Sequence, residues 1–222
     1  MSTYPGATDG PRGRLLYKGA EADVILGEWQ GLEAVFKVRK PLTYRLRVLD
    51  EAIRRQRTVR EAEMIHLAKK AGVPSPFLYS VDVGASTLVM EFVSGDRVKD
   101  LVPALSESQL GRLFFEFGVQ VGSLHRSGIM HGDLTTANVV RRKGRLVFID
   151  FGLSVRTARL EDHGVDLRLI KETLVGAHSD ASAAAFEALI SGYASVVGPT
   201  RSRAVLRQLK SIERRGRYAR VA

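Results

Sequence analysis

The run His131-Gly132-Asp133-Leu134-Thr135-Thr136-Ala137-Asn138, followed by Ile149-Asp150-Phe151-Gly152, brings two carboxylates and an amide into the order that phosphoryl transfer from a magnesium-bound triphosphate requires. In that chemistry one carboxylate orients the attacking oxygen, while further oxygen ligands hold magnesium and neutralise charge on the phosphates. Asp133 suits the first role. Asn138, five residues later, and Asp150, at the end of the apolar run Leu146-Val147-Phe148-Ile149, suit the second. An H-G-D triplet alone is a chance event and a D-F-G alone is a turn after a strand; their joint occurrence in this order carries the reading.

Further positions complete the expected site. Lys37 lies in a strand with Val35 and Arg39 on its face, where a lone lysine is usually surface decoration. Upstream of both aspartate motifs it is read as a ligand of the α- and β-phosphates, steadied by Glu61 of the following helix, with Glu63 as second choice. Gly19, in Lys18-Gly19-Ala20-Glu21-Ala22-Asp23-Val24, is the single glycine of a weak phosphate loop, and its missing Cβ lets backbone amides approach an anion. The backbone of Glu91, Phe92 and Val93, closing an apolar strand, is expected to hydrogen-bond adenine. His125, on an apolar helical stripe, is read as a satisfied core histidine, and His131 as a structural support of the loop.

The elements that must position these groups are legible in outline. Residues 14 to 40 alternate as three strands around Gly19 and Gly31, and a helix from about Asp50 to Lys70 ends at Gly72 and Pro74. Two more strands, Phe77 to Val83 and Thr87 to Phe92, lead to Ser94-Gly95. Ser106 with Gln109 forms a capping box, and Leu110, Leu113, Phe114, Phe117, Val121 and Leu124 recur at helical intervals. Short strands, Asn138 to Arg141 and Leu146 to Ile149, flank Lys143-Gly144. Helices are expected at about 166 to 177, 181 to 197 and from about Arg201. The fold class is α+β: a two-lobed architecture with a small antiparallel N-lobe (1–93), a mainly helical C-lobe (94–213) and a basic tail (214–222).

Composition narrows the function. A chain of 222 residues with 45% hydrophobic content can bury a core, and zero cysteines exclude disulfides and thiolate chemistry, so a metal must sit on oxygen ligands. No apolar stretch reaches the ~20 residues of a membrane helix, and Met1-Ser2-Thr3-Tyr4-Pro5-Gly6 lacks the apolar core of a signal peptide; a cytoplasmic protein with no membrane partner is expected. The net charge of +10 is uneven: Arg39 to Lys70 holds ten Lys or Arg against four acids, and Arg201 to Arg220 holds eight against Glu213 alone. Arg214, Arg215, Arg217 and Arg220 crowd a terminus with little to bury, which points to a phosphate-bearing or acidic partner.

Taken together these residues resemble the protein kinase superfamily and, within it, the small atypical kinases of the KEOPS complex, the PRPK family. The resemblance rests on Gly19-Ala20-Glu21-Ala22, on Phe36-Lys37-Val38-Arg39-Lys40-Pro41 with Tyr44-Arg45, on the eight residues from His131 to Asn138, and on the Arg-Gly-Arg ending. It implies ATP and Mg2+ as cofactors, a serine/threonine kinase or ATPase activity, a threonylcarbamoyl transferase subunit and other KEOPS subunits as partners, and a role in threonylcarbamoyl-adenosine formation on tRNA. Departures from ordinary kinases have consequences. Gly132 replaces an arginine, no Ala-Pro-Glu follows Gly152, and thirteen residues separate Gly152 from Asp166, so a long activation segment is not expected. Thr135 stands where a lysine is usual, which removes a positive charge near the transferred group and leads to the expectation of slow transfer or plain hydrolysis. The rival readings are a RIO-type or small-molecule phosphotransferase, and a nucleotide-gated RNA-binding scaffold.

Overall fold

The computed structural model describes residues 13–177 and 182–218, with side chains for all of these except 177 and 216–218. The chain divides into two units, Met1–Glu63 with Pro76–Phe92, and Met64–Ser75 with Val93–Ala222.

In the first unit, β1 (Gly13–Lys18), β2 (Ala22–Trp29), β3 (Leu32–Arg39), β4 (Leu78–Asp82) and β5 (Thr87–Glu91) form one antiparallel sheet in the order β1-β2-β3-β5-β4. Gln30 and Gly31 both have positive φ, 51° and 80°, which is the tight turn that matches the twist of β2 and β3. Register follows from that turn: Trp29 faces Leu32, and Lys37 lies opposite Val24 on one side and Leu88 on the other. The helix α1 (Arg47–Lys70) begins in this unit and continues into the second.

The second unit holds α2 (Val98–Leu101), α3 (Glu107–Arg126), α4 (Leu160–Ala177), α5 (Ser182–Val197) and α6 (Pro199–Tyr218). Its short strands are β6 (Asp96–Arg97), β7 (Ile129–Met130), β8 (Val139–Arg142), β9 (Arg145–Phe148) and β10 (Val155–Arg156), paired as β6-β8-β9 and β10-β7. The capping box is present: Ser106 N donates to Gln109 Oε1 at 2.9 Å, and Gln109 N donates to Ser106 Oγ at 3.4 Å. Helices α3 and α5 cross with their backbones in contact, because Gly118 and Gly192 carry no side chain where Leu189 and Phe115 carbonyls approach. Around this crossing, Phe114, Phe117, Phe148 and Leu124 are fully buried, with the Phe117 and Phe148 rings edge to face at 5.2 Å.

Several boundaries differ from the sequence expectation, and those of α4 and α6 bear on the site and the terminus. Helix α4 starts at Leu160 rather than about Asp166, since Thr157 Oγ1 donates to Asp162 at 2.6 Å and Glu161 and Asp162 occupy the positive first turn. Helix α6 runs to Tyr218, past the point at which a separate tail was expected, so Arg214 and Arg215 are helical. The Arg217 side chain and Arg220 lie outside the described residues.

Candidate phosphoryl-transfer site

The loop between β7 and β8 is held by a buried carboxylate. Asp166 of α4 accepts the backbone N–H of His131 at 2.7 Å on one oxygen and that of Gly132 at 2.9 Å on the other. His125 Nε2 lies 3.1 Å from the same Asp166 oxygen as the His131 N–H, and its Nδ1 lies 3.1 Å from the Tyr193 hydroxyl. Burial alone would raise the Asp166 carboxyl, but the His125 hydrogen bond and the neighbouring donors overcome it and hold the group below the ordinary range. An ionised carboxylate only accepts, so the proton of the contact belongs to His125 Nε2; in the neutral ring Nδ1 is then the acceptor of the Tyr193 hydroxyl, whose proton burial makes harder to remove.

Within the loop, burial depresses His131 and leaves it neutral, with Nδ1 accepting the Asp133 N–H at 3.3 Å. Asn138 donates its side-chain amide to the Asp133 carbonyl at 3.0 Å and to Asp133 Oδ2 at 2.8 Å. This contact closes the loop on itself through the 3-10 turn Thr136–Asn138. Gly132 has φ 82°, and a Cβ there would overlap the Leu153 carbonyl, so only glycine fits where the two loops touch. Ser154 completes the junction by donating to the His131 carbonyl at 2.7 Å.

Asp150 follows β9 in the left-handed region at φ 61°, is exposed, and takes the Gly152 N–H on Oδ1 at 3.2 Å. Ile149 N donates to the Asn138 carbonyl at 2.9 Å, which places the Asp150 and Asn138 segments side by side. Their donor set is one carboxylate and one amide oxygen, Oδ1 of Asn138, whose nitrogen is spent on Asp133. Hard oxygen ligands in this number suit magnesium, which takes one or two protein oxygens plus phosphates and water. Among the described residues no group of three or more His, Cys, Asp or Glu could hold a metal ion. Seven residues separate Gly152 from α4, two of them paired as β10 with β7, in keeping with the short segment expected.

In the first unit, Lys37 Nζ donates to Glu61 Oε1 at 2.7 Å, so Glu61 is the partner, and the alternative Glu63 is exposed. The other Glu61 oxygen takes Arg39 at 2.5 Å, and Arg39 also reaches Thr58 at 3.3 Å. Arg39 is a buried cation of this site that its place in a run of surface-like charges concealed. The Gly19 turn is anchored by charge where glycines are missing: Gly19 N donates to the Ala22 carbonyl at 3.0 Å, Lys40 bridges the Gly19 carbonyl and Asp23, and Glu21 pairs with Arg45 and Arg57. The N–H groups of Glu91 and Phe92 donate to the Phe77 and Glu33 carbonyls at 2.8 and 3.5 Å. Asp166 is the residue sequence reading missed; an aspartate between Val165 and Leu167 inside a helix was its only signal. At the terminus, Arg215 pairs with Glu161 at 2.6 Å while Arg214 is exposed.

The chain is similar to proteins of one family. The RIO domain family model matches residues 37–166. The KEOPS complex subunit Bud32 of Pyrococcus abyssi is 36% identical over 211 residues, 92% of this chain and 96% of that one. A probable bifunctional tRNA threonylcarbamoyladenosine biosynthesis protein of Methanosarcina mazei is 42% identical over 215 residues, 94% of this chain, which spans only 36% of that relative's length. The Rio2 kinase of Chaetomium thermophilum, solved as an ADP/Mg2+-phosphoaspartate complex, superposes with a TM-score of 0.61 at 16% identity, covering 93% of this chain and 70% of that one, and so shares the protein-kinase-like fold. The loop that Asp166 clamps and the Lys37–Glu61 pair both fall inside the matched span, and the chain belongs to the RIO-domain family of atypical kinases, in its Bud32 branch.

Proposed function

We propose that this protein is a magnesium- and ATP-dependent atypical kinase or ATPase that serves as a subunit of a KEOPS complex in threonylcarbamoyl-adenosine modification of tRNA. The observation that carries the catalytic part is the Asn138–Asp133 contact on a loop clamped by Asp166. It engages Oδ2 of Asp133 and leaves Oδ1 to accept a hydrogen bond from an attacking serine, threonine or water hydroxyl.

Asn138 Oδ1 and the Asp150 carboxylate would hold magnesium, which when bound neutralises charge on the phosphate oxygens. Lys37, its ammonium fixed by Glu61, would bind phosphate oxygens of the nucleotide, as would the backbone around Gly19. The backbone of Glu91, Phe92 and Val93 would meet adenine, and the Val93 N–H suits the donor role better than those of Glu91 and Phe92, which already donate to carbonyls. Asp133 would position the hydroxyl and take its proton as the hydroxyl oxygen bonds to the γ-phosphorus and the bond from that phosphorus to the ADP oxygen breaks, with ADP as the leaving group. Thr135, in place of a cation, supports slow turnover and hydrolysis. The RIO-type alternative coincides with this reading through the family match, and the names of the relatives support the complex and the tRNA pathway. No helix among the described residues is long and apolar enough to cross a membrane.

The test is incubation of the purified chain with γ-labelled ATP and magnesium, alone and with tRNA and the Bud32 partners. Phosphate released to water or to serine or threonine, and lost in Asp133→Asn, is the expected result. Turnover unaffected by that substitution would overturn the assignment.

A further inference from the structure

Every exposed position on α6 between Arg203 and Arg214 carries a cation: Arg203, Arg207, Lys210 and Arg214. Their spacing of four, three and four residues puts them on one stripe, about 16 Å long at 1.5 Å per residue. The opposite face is consumed by the fold. Ser202, Val205, Leu209 and Ile212 are buried, and Gly164 of α4 allows close approach to Gln208 and Leu209. The ion pairs Lys171–Glu213 at 2.7 Å and Arg215–Glu161 at 2.6 Å also join α6 to α4. None of the four stripe cations has an ion-pair partner among the described residues.

Like charges at these intervals repel one another, so the stripe calls for an anion from outside the chain. A protein partner is a poorer fit: arginine is common at protein interfaces, but their cores are aromatic and apolar, and the stripe offers nothing apolar to bury. A lipid surface is a poor fit too, since a helix lying in a membrane needs its apolar face for lipid and that of α6 is spent on α4. A polymer of phosphates needs only repeated cations at a regular spacing.

We propose that Arg203, Arg207, Lys210 and Arg214 track the phosphate backbone of RNA, the tRNA named in the proposed function, on which this assignment rests. The basic terminus therefore acts through the exposed face of a docked helix, and Arg215, paired with Glu161, is not part of the contact.

The test uses the full chain and a tRNA transcript, with affinity measured from low to moderate salt. The four-fold glutamine variant R203Q/R207Q/K210Q/R214Q should weaken binding at least tenfold at low salt. It should also lower the slope of log affinity against log salt by about three, as expected for losing four phosphate contacts. A control, R47Q/R55Q/R60Q/K70Q on exposed positions of α1, removes the same charge and should keep the parent slope. ATP turnover without RNA, read in parallel, should be the same in all three proteins; its absence in the parent would sink the kinase reading and leave the RNA result standing separately. An unchanged slope in the α6 variant, an equal loss in the control, or no binding of tRNA by the parent overturns the stripe. Stripe-dependent binding of polyglutamate without binding of tRNA overturns it in favour of an acidic protein.

Discussion

Glu61 divides its carboxylate between Lys37 at 2.7 Å and Arg39 at 2.5 Å, so one buried acid holds two cations of adjacent same-face positions in β3. The three groups form one unit with different duties. Lys37 retains partial exposure, whereas Arg39 is buried and bonded to Thr58. Glu61→Ala leaves two cations without their acid and should destabilise the chain by about 3–5 kcal/mol. Lys37→Met should raise the KM for ATP with a smaller change in melting temperature. Thermal unfolding and ATP kinetics on the two variants separate these roles; equal effects on both readouts would show that the triad is purely structural.

Asp133 and Asp150 should separate chemistry from binding. Asp133→Asn keeps the amide contact with Asn138 possible and should bind magnesium-ATP like the parent, while turnover falls roughly a hundredfold or more. Asp150→Ala should abolish the magnesium dependence of nucleotide binding. Calorimetry with and without magnesium decides it: magnesium-ATP bound by the Asp150 variant as tightly as by the parent would remove that carboxylate from the site.

Asp166 touches no substrate group in the proposed arrangement and acts on the loop through backbone N–H groups. Asp166→Asn keeps the size of the side chain but turns one acceptor into a donor facing the His131 or Gly132 N–H, at a cost of about 1–3 kcal/mol per unsatisfied buried group. Turnover should fall while the KM for ATP changes little. Retention of full turnover would show that the clamp is dispensable.

Acid should destabilise the second unit in a defined window. The unfolded chain takes up a proton at His163 near pH 6.5, whereas burial, with His125 and Arg201 adjacent, pushes the folded group down to about 4. Stability is therefore full above 6.5 and falls as pH drops toward 4, by up to roughly 3 kcal/mol from this group, with His131 depressed in the same direction. Asp166, held below 3.8, contributes fully above that value and is lost as pH falls further. Urea unfolding between pH 7.5 and 4 should show a shallower decline in His163→Asn than in the parent. Parallel curves would assign the acid sensitivity elsewhere.

Close helix packing gives a last prediction. Gly118→Val drives a side chain into the Leu189 carbonyl and should unfold the second unit or cost several kcal/mol, about the upper range of overpacking effects. Gly111→Val, on the same helix with open space around it, should cost less than about 1 kcal/mol. Comparable melting temperatures for the two would contradict the observed crossing of α3 and α5.

What the sequence by itself determined was whatever depends on neighbours along the chain. The loop from His131 to Asn138 and the Ile149–Gly152 run, the capping box at Ser106, the tight turns at Gly31 and Gly144 and the stripe of α3 are local or periodic, and each is present as read. Lys37 and Glu61 were legible because a strand followed by a helix leaves few acids within reach of one lysine. Tertiary structure alone decided what depends on burial and on contacts between distant segments. It placed Asp166 under a loop 35 residues earlier, made Arg39 a buried partner of Glu61, and ordered four arginines and lysines of α6 onto the face left open by α4. In a linear reading a charged residue is judged by its own type, and that type favours solvent; whether it instead meets a partner in the interior depends on desolvation and pairing, which only the packed chain sets.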